Sequence, residues 1–171
     1  MIKNLVLTGM MGVGKSTIGK KIAKKLSYKF IDIDKLIEKH EGTSIEIIFK
    51  KKSEKYFRNL ENVITLETLK KEKLVISLGG GAFLNSAIRQ AVKDLSVSFW
   101  LDINNNVLIR RLKSSKKRPL LLKKNLNTTV IKIYKERKNT YNKANFRVKC
   151  DNLKPEIISN KIIKLYENSS N

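Results

Sequence analysis

Short apolar runs recur along the chain at residues 3–8, 28–33, 73–78, 96–101 and 145–150, each about the length of one strand. Between them apolar residues return with helical spacing, as at Ile18, Ile22, Ala23 and Leu26. Strands alternating with helices predict an α/β domain in which a parallel sheet is covered on both faces. Residues 33–72 break the alternation. They read as mostly helical and are too long for one crossover, which predicts an extra helical lobe. The basic stretch 113–124, with Leu120-Leu121-Leu122 at its centre, reads either as a solvated loop or as a mobile lid. Pro119 and Pro155 are expected in loops, and Glu167 to Asn171 as a frayed polar tail. No linker or repeat divides the chain, so a single domain is expected over residues 1–171.

The first strand–helix junction holds Gly9-Met10-Met11-Gly12-Val13-Gly14-Lys15-Ser16, followed by Thr17. This is G-x-x-x-x-G-K-[ST], the phosphate-binding P-loop pattern, in the strand–turn–helix context that supports it. Glycines let the backbone approach phosphate oxygens, and the helix N-terminus turns free N–H groups and its positive dipole end toward the anion. Gly12, Val13, Gly14, Lys15, Ser16 and Thr17 are therefore candidate nucleotide contacts. Lys15 is placed to reach the β- and γ-phosphates and Ser16 to ligate Mg²⁺. The motif says nucleoside triphosphate and leaves the acceptor open.

Composition changes that picture little. No apolar run approaches the length of a membrane span, and strand one begins too early for a signal peptide to precede it. The single Cys150 has no internal partner for a disulfide and is expected to pack rather than react. A cytoplasmic protein is the expectation. The net charge of +22 invites a nucleic-acid reading. Against it, the lysines are spread over nearly every helix, aromatic residues are not interleaved with them, and arginine is the minority cation. A basic surface also steers polyanionic ATP and an acidic substrate inward.

Five further patterns bear on the acceptor. Asp32 and Asp34 end the second strand and, two apart, are expected to project to one face at its C-terminal edge, where parallel sheets bind ligands. Two carboxylates so placed call for a cation or substrate donors between them, unless they form a solvated acidic turn. Arg58 and Glu61 lie three apart on a helix, either as a surface ion pair or with Glu61 holding Arg58 for a substrate carboxylate. Gly79-Gly80-Gly81 follows the third strand, where a conventional Walker B aspartate is expected and missing, so either Asp32 takes that metal-side role or no residue does. Arg118-Pro119-Leu120-Leu121 sits in the lid candidate, and Arg137 shares a helix face with Tyr141. Arginine suits bidentate grip of carboxylate or phosphate.

Taken together, G-x-x-G-x-G-K-S at 9–16, D-x-D at 32–34, F-R-x-x-E at 57–61, G-G-G at 79–81, R-P-L-L at 118–121 and E-R-x-x-x-Y at 136–141 resemble shikimate kinase along essentially the whole chain. The resemblance implies a P-loop NTPase three-layer sandwich of the nucleoside-monophosphate-kinase type. Its five-stranded parallel sheet runs in order 2-3-1-4-5, with a substrate-binding lobe (33–62), a mobile lid (112–124) and a core with the nucleotide site (1–32, 73–111 and 125–166). It implies transfer of the ATP γ-phosphoryl group to the 3-hydroxyl of shikimate, a step of chorismate and aromatic amino-acid biosynthesis. By position, Asp34 binds the shikimate hydroxyls and is the candidate base. Arg58 and Arg137 grip the carboxylate, and Gly80 and Gly81 give backbone contacts. Arg118 reaches the transferring phosphoryl group. Ser16 and Asp32 hold one Mg²⁺, Asp32 through water. Arg111 and the loop ending at Pro155 flank adenine. A monomer that binds neither nucleic acid nor membrane is implied.

Gluconate kinase is the alternative acceptor class, since gluconate is also a polyhydroxy acid. The D-x-D, F-R-x-x-E and R-P-L-L set favours shikimate. A nucleic-acid-stimulated P-loop ATPase is the remote alternative.

Overall fold

The computed structural model describes residues 3–114 and 125–170. Its elements run β1 (Asn4–Thr8), α1 (Lys15–Leu26), β2 (Lys29–Asp32), α2 (Ile33–Glu41), α3 (Ile45–Lys51), α4 (Glu54–Leu69) and β3 (Leu74–Ser77). They continue with a short 3₁₀ turn (Ala82–Leu84), α5 (Ser86–Leu95), β4 (Ser96–Asp102), α6 (Asn105–Lys113), α7 (Leu126–Tyr141), β5 (Phe146–Lys149) and α8 (Pro155–Ser170). The strands form one parallel sheet in order β2-β3-β1-β4-β5, the order implied by the resemblance.

The strand sequences explain their places. β1, β3 and β4 are buried along their whole length and lie in the middle of the sheet, while β2 and β5, partly exposed, form its edges. Near-continuous apolar runs such as Leu5-Val6-Leu7 and Leu74-Val75-Ile76 suit strands covered on both faces. α1 packs on α8, β2 and β3, and α5 packs on α4 and β4, which builds the three layers. Gly19 allows one close approach: a Cβ there would lie 2.5 Å from the Phe30 ring, so a side chain would push α1 off the sheet.

Helix starts follow side-chain caps. Ser44, Ser53, Asn85 and Asn104 each accept a hydrogen bond from an N–H of the first turn they precede. Two expectations are corrected. Pro155 is not in a loop; it opens α8 at the first helical position, where its missing N–H costs no bond. The tail is helical through Ser170, because Ile158, Ile162 and Tyr166 recur on one buried face and carry the helix onto α1. Cys150 lies one residue past β5, fully buried, with its thiol donating to the Val148 carbonyl.

Candidate active site

The C-terminal ends of β1, β2 and β3 lie side by side, with Leu7 paired to Ser77 and Ser77 to Asp32. The turns leaving these three strands carry many of the candidate residues, while Arg58 comes from α4, Arg111 from α6 and Arg137 from α7. After β1 the chain forms the P-loop. Gly9, Gly12 and Gly14 all take positive φ, and Gly14, at +106°, precedes α1. A Cβ on Gly9 would lie 2.6 Å from the Leu101 carbonyl oxygen, so the loop folds against β4 only because that position is bare. Lys15, Ser16 and Thr17 are the first three residues of α1, whose N–H groups lie beyond the reach of any intrahelical acceptor. Lys15 is buried, its Nζ donating to the carbonyls of Gly9 at 2.8 Å and Met10 at 3.0 Å. Its ammonium thus sits over the loop that would cradle phosphates. Arg111 Nη1 on α6 donates to the Val13 carbonyl at 3.3 Å, which brings it to the P-loop from the β4 side.

After β2 the structure departs from the expected shared strand face. The strand ends at Asp32, and Asp34 lies in the first turn of α2. Asp32 is the cap of that helix: Oδ1 accepts from the Lys35 N–H at 3.4 Å, and Oδ2 accepts from the Ser16 hydroxyl at 2.5 Å. Capping turns the chain into helix too early for strand alternation to reach Asp34. The two carboxylates therefore serve different neighbours, Asp32 facing Ser16 and Asp34 facing the turn after β3.

That turn is where the acceptor residues meet. A Cβ on Gly79 would lie 2.6 Å from Asp34 Oδ1 and 2.6 Å from Glu61 Oε1. One on Gly81 would lie 2.7 Å from Arg58 Nη1, and one on Gly80 would lie 3.4 Å from the Met11 N–H nitrogen and 3.5 Å from Arg137 Nη1. The three glycines leave room for two carboxylates and two guanidinium groups, and press against the P-loop. Arg58 Nη1 donates to Glu61 Oε2 at 2.7 Å, and Nε and Nη2 donate to Glu54 at 3.3 Å. Arg137 Nη1 donates to the Gly80 carbonyl at 2.8 Å, as does the Tyr141 hydroxyl.

The electrostatics follow from depth. Glu61 is 2% exposed, and its Oε1 has no hydrogen-bond partner among the described residues. Burial pushes its carboxyl above the ordinary value; Arg58 pulls it back and the Asp34 charge adds to the rise. Burial disfavours the Arg58 charge, but Glu61 and Glu54 outweigh it and hold the guanidinium above its ordinary value.

Of the residues expected from sequence, the structure brings Asp34, Arg58, Gly80, Gly81 and Arg137 together, and Lys15, Ser16 and Asp32 beside them. Gly12, Val13, Gly14, Thr17 and Arg111 line or touch the P-loop. Pro155 starts α8 and makes no contact with this cluster in the hydrogen bonds of the described residues. Arg118 and most of the lid segment lie outside the described residues. The sequence resemblance points to Gly80 and Gly81 as contacts, and the structure adds Gly79, whose missing side chain admits both carboxylates. Tyr141, visible only as a helix-face mate of Arg137, reaches the same carbonyl.

Comparison with known proteins agrees with this geometry. A family model described as shikimate kinase matches residues 11–167. The chain is 43% identical over 162 residues to the shikimate kinase of Sulfurihydrogenibium sp., covering 95% of this chain and 96% of the relative. It is 39% identical to that of Thermodesulfovibrio yellowstonii, covering 99% and 98%. Among solved structures, shikimate kinase from Acinetobacter baumannii in complex with shikimate superposes with a TM-score of 0.92 at 29% identity, over 99% of this chain and 95% of that one. A gluconokinase from Sinorhizobium meliloti reaches 0.63 at 17% identity over 98% and 93%, a likeness of fold alone. Matched at this identity over nearly its whole length, the chain belongs to the shikimate kinase family.

Proposed function

We propose that the chain transfers the γ-phosphoryl group of ATP to the 3-hydroxyl of shikimate where the P-loop meets the Gly79-Gly80-Gly81 turn. As a shikimate kinase it is an ATP-dependent transferase. The observation that carries the reading is the contact between two cradles. The acceptor side, with Asp34, Arg58 and Arg137 around three bare glycines, abuts the donor side through Gly80 and Met11.

The division of labour follows from charge. Arg58 and Arg137 are half-buried guanidinium groups aimed at one small space, suited to a planar carboxylate. Asp34 sits across the Gly79 turn, placed to accept hydrogen bonds from substrate hydroxyls and to take the proton of the attacking one. Phosphoryl transfer is loose, so alignment of that hydroxyl is the larger contribution. Lys15 moves from its carbonyl contacts to the β- and γ-phosphate oxygens. Arg118, assigned from the resemblance, neutralises charge on the moving group.

Magnesium is implied by the family. The Ser16 hydroxyl and the Asp32 carboxylate converge at 2.5 Å beside the P-loop, two hard oxygen donors of the kind Mg²⁺ takes. Mg²⁺ keeps several waters and relies on one or two protein ligands plus phosphates, so this sparse set fits. When bound, the ion supplies charge neutralisation at the β- and γ-oxygens. We further read the protein as a cytoplasmic monomer acting on small molecules; among the described residues no helix is long and apolar enough to cross a membrane.

The test is ADP release from Mg·ATP with shikimate, gluconate or AMP as acceptor. ADP and a phosphorylated product with shikimate alone are expected. Turnover with gluconate and none with shikimate would overturn the substrate assignment and leave the P-loop.

A further inference from the structure

Tyr134, Arg137 and Tyr141 lie three and four apart on α7, so they share one helix face. Each end of that face is held by a phenol. The Tyr134 hydroxyl donates to Asp102 Oδ1 at 2.9 Å, and Asp102 Oδ2 takes Nε and Nη2 of Arg147 at 3.0 and 2.6 Å. Tyr141 is fully buried, its ring 6.0 Å from that of Trp100, and its hydroxyl donates to the Gly80 carbonyl. Arg137, between them, gives Nη1 to that same carbonyl at 2.8 Å. The Gly80 oxygen thus has a donor for each lone pair. Arg137 also bonds through its side chain with the Tyr141 hydroxyl, and the remaining donors of its five-donor fork are left for a ligand.

We infer that Tyr141 is a positioning residue for acceptor binding. Its hydrogen bond fixes the Gly80 peptide, the peptide anchors Arg137 Nη1, and the guanidinium presents its remaining donors in one orientation. The inference rests on reading Arg137 as a grip on the substrate carboxylate. Gly80 needs an external restraint because glycine has wide backbone freedom. Without the phenol, the peptide and the guanidinium must be ordered when the ligand arrives, and that ordering weakens binding. Burial pushes the Tyr141 phenol above its ordinary value, with Arg137 and Arg58 pulling back, so it remains a donor. Tyr134 contacts the opposite end of the face and does not touch Gly80, which makes it the internal control.

The experiment compares the wild type, Tyr141→Phe, Tyr134→Phe, Arg137→Ala and the Arg137→Ala/Tyr141→Phe double variant, each checked by thermal melting. Loss of one neutral hydrogen bond should raise the shikimate KM of Tyr141→Phe about three- to tenfold, with kcat and the ATP KM within about twofold. Tyr134→Phe should keep its shikimate KM within about twofold of wild type. On the Arg137→Ala background Tyr141→Phe should add nothing, because the group it orients is gone. An unchanged KM in Tyr141→Phe, an equal rise in Tyr134→Phe, or full additivity with Arg137→Ala would each overturn the inference. A wild type that releases no ADP with shikimate would remove the functional reading itself, a different result from a wild type that turns over and a Tyr141→Phe that matches it.

Discussion

Glu61 shows how one residue can cost stability and serve the site. It lies beneath the Gly79 turn with one oxygen on Arg58 and the other without a hydrogen-bond partner among the described residues, close to Asp34. Its carboxyl is held above the ordinary value of 4.5, chiefly by burial, so it binds a proton more readily folded than unfolded. Its contribution to stability is therefore full below that value and is lost as pH rises through the folded one. Glu61→Gln should gain melting temperature relative to wild type between pH 4 and pH 7, while its shikimate KM rises because Arg58 is less firmly held. A difference in melting temperature flat across that range would contradict the assignment. Arg58→Ala should raise the shikimate KM on the order of 10- to 100-fold, the scale of a charged hydrogen bond. Arg118→Ala should instead lower kcat more than it raises that KM, and the reverse pattern in steady-state kinetics would fail the lid assignment. Asp34→Asn should lose on the order of 10²-fold or more in kcat, the scale of a positioned acid–base group. Near-normal turnover would remove Asp34 from that role.

Among the elements, the turn after β3 decides most. Its three glycines do not serve the same neighbour. Gly79 faces the tips of two carboxylates, Gly80 the P-loop and Arg137, and Gly81 the Arg58 guanidinium. Gly79→Ala should displace Asp34 and Glu61 and lower kcat by about 10²-fold, as a misplacement near 1 Å does. Gly81→Ala presses on the end of a long side chain that can swing aside, so its effect should fall on the shikimate KM with kcat within about threefold. Kinetics of the two variants side by side check the contrast; equal kcat losses would contradict it. These functions were only partly legible beforehand. The P-loop was readable because Gly9 to Ser16 is contiguous and its flanks announce strand and helix. Strand alternation predicts Asp32 and Asp34 on one face, whereas the Asp32 cap starts α2 between them.

The whole molecule adds a field. Its net charge of +22 rests on 37 Lys and Arg against 15 Asp and Glu. Many acidic side chains are already engaged, as Glu156 is by Lys21 and Lys25 between α8 and α1. The excess should speed arrival of polyanionic ATP, an effect screened over about 8 Å at physiological ionic strength. Raising KCl from about 10 to 300 mM should lower kcat/KM for Mg·ATP several-fold and leave kcat within about twofold. A salt-independent kcat/KM would show that the field does not steer the nucleotide. ADP release stimulated by duplex DNA without shikimate would instead revive the nucleic-acid reading.

The sequence alone determined the alternation of strands and helices, the P-loop and the set of chemically apt residues, because each rests on spacing within a few positions. It could also place Arg58 with Glu61 and Arg137 with Tyr141, since helical periodicity is local. What only the tertiary structure decided is which of these meet. Tyr141 and Gly80 are 61 positions apart, Arg137 and Gly80 are 57, and the parallel sheet brings them together. The separation of Asp32 toward Ser16 from Asp34 toward Gly79 was decided there too, where a helix cap competes with strand continuation and wins by satisfying an N–H of the first turn.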